Sequence, residues 1–268
     1  MLTARTLLDD DGVTLADVAC RHQPGRGGAI ELRTAHALVF VRRGCFVRAA
    51  DGDERLLDPT VAYATTPGQE DRIDHPLQGG DDCTYLALAP ELVAALWGGD
   101  PALPTRPLPT SPAVDREHRL LLAAARRGDD RHEVTERALA LAAAALGRHD
   151  ADRVASGRPA TARVRRAIVD GARERLLADP DQSLPELAHR LAVSPHHLSR
   201  LFHALTGSTI SRHRLRLRVR GALERLAGGE RDLARVAAEV GFADQAHCCR
   251  VIRAELETTP SALRAALT

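Results

Sequence analysis

The chain has 268 residues, 44% of them hydrophobic, enough for one large or two ordinary domains with buried cores. Its 37 basic residues are all arginine, and a formal net charge of +1 points to no special partner for the chain taken whole. Five cysteines without a C-x-x-C pair argue against a closed disulfide framework, and no run approaches the roughly 18 apolar residues of a membrane span.

The opening MLTARTLLDDDG has no sustained apolar core followed by a cleavage site, so a reducing cytoplasm is the expected location. Up to about Pro90 the sequence reads as short strands, GVTLADVAC, AIELRT, ALVFVRRGCFVRAA, TVAYATT and CTYLALA, separated by punctuation such as ADGDE, TPGQED and LQGGDD. Such spacing predicts a small sandwich or barrel over residues 1–110. GGDPALPTRPLPTSP, residues 98–112, is too rich in proline for a helix or a central strand and reads as a connector. AVDREHRLLLAAARRG and HEVTERALALAAAALGRH then carry Leu and Ala at helical spacing around a Gly/Asp junction, an antiparallel helix pair over 111–150. DADRVASGRPAT supplies a linker at 151–160.

Residues 161–268 are helical and carry 18 Arg against 12 Asp and Glu, a balance of +6, whereas residues 1–160 carry 19 against 24, a balance of −5. The C-terminal part alone has the sign that approaches a polyanion. It also repeats: SLPELAHRL lies over DLARVAAEV at an offset of 49, and SPHHLSRLFHALTGST over DQAHCCRVIRAELETT at an offset of 50. The one-residue difference falls in the turn, so each copy is helix, turn, helix. Ser183 with Glu186 forms a capping box, Ser194 precedes Pro195 as N-cap, and Asp232 and Asp244 stand at the equivalent caps. Between the copies, ISRHRLRLRVRGALERLAGG places Leu215, Val219, Ala222 and Leu226 at helical spacing, which predicts a connecting helix.

These features together, with LAHRLAVSPHHLSRLF, VAAEVGFADQAH and the closing TTPSALR, resemble the DNA-binding domain of AraC/XylS-type transcription regulators. The resemblance implies an α+β multidomain fold: an N-terminal cupin-like β-barrel with a helical pair, and a C-terminal all-α domain of two helix-turn-helix units joined by a long helix. Each second helix would then read the major groove of double-stranded promoter DNA. Candidate contacts are His196, His197, Ser199, Arg200 and His203 in the first unit and Gln245, His247, Cys249 and Arg250 in the second, and any of them can instead touch only phosphate or solvent. His247, Cys248 and Cys249 cannot share a metal, because adjacent helix residues are rotated by about 100° from one another. Cys248 lies over Leu198 as a core position, small where the family has a bulky aromatic, and Glu257 takes the place matched by Gly207. Of Arg212, Arg214, Arg216, Arg218 and Arg220, a helix can turn only one or two toward DNA.

The N-terminal part is similar to the cupin-like sensor of the same regulators, which implies effector sensing by a small molecule or metal. It also implies a homodimer formed through the helical pair, a partnership with RNA polymerase, and more often activation than repression. Packing within the chain is the other use of that pair. No H-x-H motif accompanies PGQEDRIDH, so the ligands of an iron-dependent cupin enzyme are missing and His75 reads as structural or solvated. No catalytic residue and no required cofactor is assigned. Cys20, with His22 on the same strand face, Cys45 and Cys83 lie on three separate predicted strands. They either gather to bind a soft metal ion or sense oxidants, or are small buried hydrophobes. A cupin-type metalloenzyme fused to a nucleic-acid-binding module is the alternative reading, and a methyl acceptor at Cys45 or Cys20 a third.

Overall fold

The computed structural model describes residues 2–21, 23–25, 28–97, 103–147 and 159–267; His22 and most of the expected linker lie outside them. It divides into two compact units, Met1–His149 with Arg218–Thr268, and Asp150–Leu217. The division falls inside the segment 161–268 that the sequence suggests is one domain.

In the first unit the strands are β1 (Leu2–Asp10), β2 (Val13–Cys20), β3 (Ile30–Leu32), β4 (His36–Arg43), β5 (Phe46–Ala50), β6 (Asp53–Leu57), β7 (Val61–Thr65), β8 (Glu70–Asp74) and β9 (Asp81–Leu88). Helix α1 (Pro90–Trp97) and a short β10 (Leu108–Pro109) follow. One antiparallel sheet runs β1-β2-β9-β4-β7-β10 and the other β3-β8-β5-β6. Central β4 is an almost continuous apolar run buried along its length, as a strand covered on both faces must be.

Several boundaries differ from the sequence reading. ALVFVRRGCFVRAA is two strands, because Gly44 turns the chain at φ +74° between β4 and β5. The proline-rich connector contains β10, which takes the sheet edge, where proline's missing N–H costs no ladder bond. EDRID resembles a turn by composition, yet forms β8 because Asp71 is buried under Arg48, which donates from Nε and Nη2 at 2.8 Å each, and under Arg33, whose Nε donates at 2.8 Å. Charge is then a strand's core contact instead of a turn signal.

Helices α2 (Pro112–Arg127) and α3 (Arg131–Leu146) form the expected pair. Ser111 caps α2 with Pro112 in its first turn, Gly128 closes it at φ 76°, and Asp130 caps α3. Their apolar faces, Leu121, Leu122, Ala138, Leu141 and Ala142, join one core with Leu15, Leu38, Phe40 and Leu86 of the large sheet. Packing within the chain therefore accounts for the buried face of the pair. His118 is buried in this layer, with Nε2 2.7 Å from Thr84 Oγ1 and Nδ1 2.9 Å from Arg119 Nη1. Since the arginine can only donate, Nδ1 accepts and the ring proton sits on Nε2.

The same unit includes the end of α7 (Ile210–Ala227), together with α8 (Leu233–Glu239), α9 (Gln245–Leu256) and α10 (Pro260–Leu267). Arg220 of α7 is buried and pairs with Asp115 of α2 at 2.5 Å, with Thr110 Oγ1 accepting at 2.8 Å. One turn on, Glu224 meets Arg119 of α2 at 2.9 Å and Arg42 of β4 at 3.6 Å. Arg42 also pairs with Asp17 of β2, whose other oxygen accepts from Arg126 at 2.7 Å. Arg116 donates to the carbonyl of Leu256 at the end of α9, and Arg127 to that of Ala266 in α10.

In the second unit α4 (Pro159–Ala178), α5 (Leu184–Arg190), α6 (Pro195–Thr206) and the start of α7 enclose Val169, Ala172, Leu176, Leu187, Leu198, Phe202 and Ile210.

Asp115→Ala strands the buried Arg220 charge and should lower unfolding free energy by about 3–5 kcal/mol in denaturant titration, the usual cost of breaking such a pair. Burial, then Arg119 and its neighbouring arginines, hold the His118 imidazolium pKa well below its ordinary 6.5. The unfolded chain binds that proton first, so this contribution is complete above about pH 6.5 and is lost as pH falls toward the folded value. Denaturant midpoints against pH should fall across that window, and less so in His118→Gln.

Candidate nucleic-acid interface

The two helix-turn-helix copies superpose in sequence as the caps require. Helices α5 and α8 are both seven residues long and start 49 residues apart, while α6 and α9 are both twelve and start 50 apart. In the first, Ser183 Oγ accepts from Glu186 N at 3.3 Å and Ser183 N donates to Glu186 Oε2 at 2.8 Å, closing the capping box. Asp232 Oδ1 accepts from the amides of Ala234 and Arg235 in the second. Ser194 and Asp244 cap the following helices through His197 N at 3.2 Å and His247 N at 2.6 Å. Each turn contains a left-handed residue, Ala192 at φ 53° and Gly241 at φ 83°.

Helix α6 buries Leu198, Leu201 and Phe202, leaving His196, Ser199, Arg200 and His203 exposed and His197 half-buried. Helix α9 buries Cys248, Ile252 and Leu256, leaving Gln245 and Arg250 exposed and His247 and Cys249 half-buried. The His247 ring meets Phe242 edge-on, with centroids 5.3 Å apart, so its direction is set by packing. Adjacent Cys248 and Cys249 thus face different surroundings: Cys248 is 1% exposed, and burial pushes its thiol up to about 11. Glu257 ends α9 in the left-handed region at φ 53°, where Gly207 ends α6 at φ 68°. A side chain there strains the backbone, and the Arg116 hydrogen bond to Leu256 holds the helix end in that geometry.

The arginines of α7 divide as well. Arg220 is consumed by Asp115, Arg214 donates to the Gln182 carbonyl at 2.5 Å, Arg225 pairs with Glu239 at 2.5 Å, and Arg212 is exposed.

In the barrel, Cys20 ends β2, Cys45 lies in the β4–β5 turn and Cys83 is on β9, all buried. The donor atoms of Cys20, His75 and Asp81 lie within 4.8 Å of one another. His75 Nε2 is 2.7 Å from Asp81 Oδ1, and Cys83 Sγ donates to Asp81 Oδ2 at 3.2 Å. This group therefore has one of the three expected cysteines, joined by a histidine and an aspartate that counting thiols passes over. Alternation on β9, which puts Asp81 and Cys83 on one face, is the signal that points to the aspartate. Burial and then the nearby Asp81 carboxylate push both the Cys20 and Cys83 thiols up, Cys83 far.

Residues 187–266 match the family described as "Helix-turn-helix domain". Comparison with curated protein sequences finds no match. Among solved structures, ToxT from Vibrio cholerae O395 is 8% identical, with 100% of this chain and 98% of that one covered at a TM-score of 0.36. The AraC-like transcriptional activator CuxR is 15% identical, covering 80% and 78% at 0.41. A cupin superfamily protein from Desulfitobacterium hafniense DCB-2 is 16% identical, covering 33% and 77% at 0.28.

Alkylation of the native chain at pH 8 should modify Cys249 well before Cys248, because the reactive species is an accessible thiolate. Peptide mapping after a timed quench reads the order; equal rates would show that α9 opens.

Proposed function

We propose, from the premise that the C-terminal region is a helix-turn-helix domain of the AraC type, that the chain is a sequence-specific transcription regulator of double-stranded DNA. The carrying observation is the pair of capped helix-turn-helix units, each with polar side chains exposed on the N-terminal half of its second helix. Arg200 and Arg250 offer bidentate donors to guanine, and Gln245 can pair with adenine in the same manner. His196, Ser199 and, from the half-buried flank, His247 and Cys249 supply single contacts or touch the sugar-phosphate backbone.

The barrel is the sensor in this reading. Its link to DNA is the set of ion pairs that fastens the second helix-turn-helix unit to β4 and α2, through Arg42, Arg119 and Asp115. An effector that shifts β4 or α2 changes what Glu224 and Arg220 can reach, and so changes the position of α9. Activation, homodimerisation and contact with RNA polymerase extend the same reading, and the proposed role needs no catalytic step.

Selection from a random duplex library should yield a preferred sequence; recovery of no preference would sink the proposal. On that sequence Arg200→Ala and Arg250→Ala should each remove about 1–3 kcal/mol of discrimination at one base pair. Uniform weakening on every duplex would assign them to phosphates instead.

A further inference from the structure

We propose that Cys20, His75 and Asp81 form a binding site for one zinc-class divalent cation. The three donors come from separate places in the chain, the end of β2, the residue after β8 and the first residue of β9. All three side chains are buried, and their ligand atoms already lie within 4.8 Å of one another. Bonds of about 2.0–2.3 Å in a tetrahedral site put donors roughly 3.3–3.8 Å apart, so the widest separation must close by about an ångström while His75 Nε2 and Asp81 Oδ1, 2.7 Å apart, spread by somewhat less, and a water molecule takes the fourth position.

Two glycines hold this end of the barrel tight. A Cβ on Gly80, at φ +70°, would lie 1.8 Å from the Cys20 carbonyl oxygen, and one on Gly44, at φ +74°, 2.2 Å from that of Gly80. No side chain fits either position, and the result is that the β2 end, the β4–β5 turn and the start of β9 share one corner.

The donor set selects the ion. A thiolate and an imidazole disfavour the hard cations that take oxygen ligands, whereas sulfur, nitrogen and carboxylate together suit Zn(II) and its borderline neighbours. On binding, the Cys20 thiol releases its proton to solvent and the His75 ring proton that Nε2 shares with Asp81 moves to Nδ1, freeing both atoms as ligands; the thiolate and the Asp81 carboxylate then supply two negative charges that the cation cancels, leaving a neutral buried complex. Cys83, which donates to the second Asp81 oxygen, orients that carboxylate. The strand that carries it also reaches the DNA-binding part: the Cys83 carbonyl accepts from Arg42 Nη2 at 3.2 Å, and Arg42 pairs with Glu224 of α7.

That the cation is the regulator's effector rests on the regulatory reading above, while binding of the cation does not, so the two are measured apart. The full chain, reduced and stripped with chelator, is titrated with Co(II) and then with Zn(II) against a chromophoric competitor. One equivalent should bind with a thiolate-to-Co(II) charge-transfer band. Cys20→Ser should remove that band, and Cys20→Ser, His75→Ala and the near-isosteric Asp81→Asn should each weaken Zn(II) at least by the roughly 10–100-fold that loss of even an outer partner brings. Cys248→Ser, a buried thiol elsewhere, should leave both unchanged. Absence of stoichiometric binding by the wild-type chain, or a charge-transfer band that survives Cys20→Ser, overturns the site. With the selected duplex, metal-loaded and stripped chains should differ in affinity by about fivefold or more. Equal affinities overturn the effector assignment alone, and failure to bind any duplex overturns the regulatory reading while the titration stands.

Discussion

Glu224 and Arg220 stand four residues apart on one face of α7, and both are spent on the barrel and its helix pair. Glu224 lies between Arg119 and Arg42, and Arg220 is enclosed by Asp115 and Thr110. Taking such charges out of water costs several kcal/mol per ion, and the cost is met only while both partners keep their places. An interface of this kind holds in one register and is poor in intermediate ones. It therefore suits a contact that is either made or released, which is what the proposed sensor role requires. Arg42 widens the connection, because its pairing with Asp17 and its bond to the Cys83 carbonyl tie three strands of the large sheet to the same α7 carboxylate.

The two helix-turn-helix units show how one local design tolerates different packing. Both are bounded by side-chain caps at the same positions and both end in a left-handed residue. In the second unit, however, Cys248 and Ile252 occupy positions filled by Leu198 and Phe202 in the first, and Glu257 stands where Gly207 does. The smaller side chains forgo apolar contact. What the unit loses internally is offset by α2, whose Arg116 and Arg127 hydrogen-bond the ends of α9 and α10.

The thiols follow a comparable logic. Cys83 and Cys248 are buried, and burial raises both of them, as befits side chains that act as small hydrophobes or weak donors. Cys20 differs because its sulfur lies with both the His75 imidazole and the Asp81 carboxylate, the grouping on which the proposed cation site rests.

Local chemistry was sufficient to predict the helical repeat, its caps, the burial of Cys248 at the place matched by Leu198, and the central strands. Each depends on side chains within a few positions of one another, as Ser183 with Glu186 does. Strands β6 and β8 and the exact extent of β4 were hidden because their charged or glycine residues read as turns, and only a distant partner such as Arg48 for Asp71 makes them strands. The tertiary structure alone decided that His75 and Asp81, not the other two barrel cysteines, gather with Cys20, and that Arg220 pairs with Asp115. Both outcomes are pairings between residues far apart in the chain, chosen by which buried polar groups can satisfy one another once the sheets close, and no periodicity along the sequence encodes that choice.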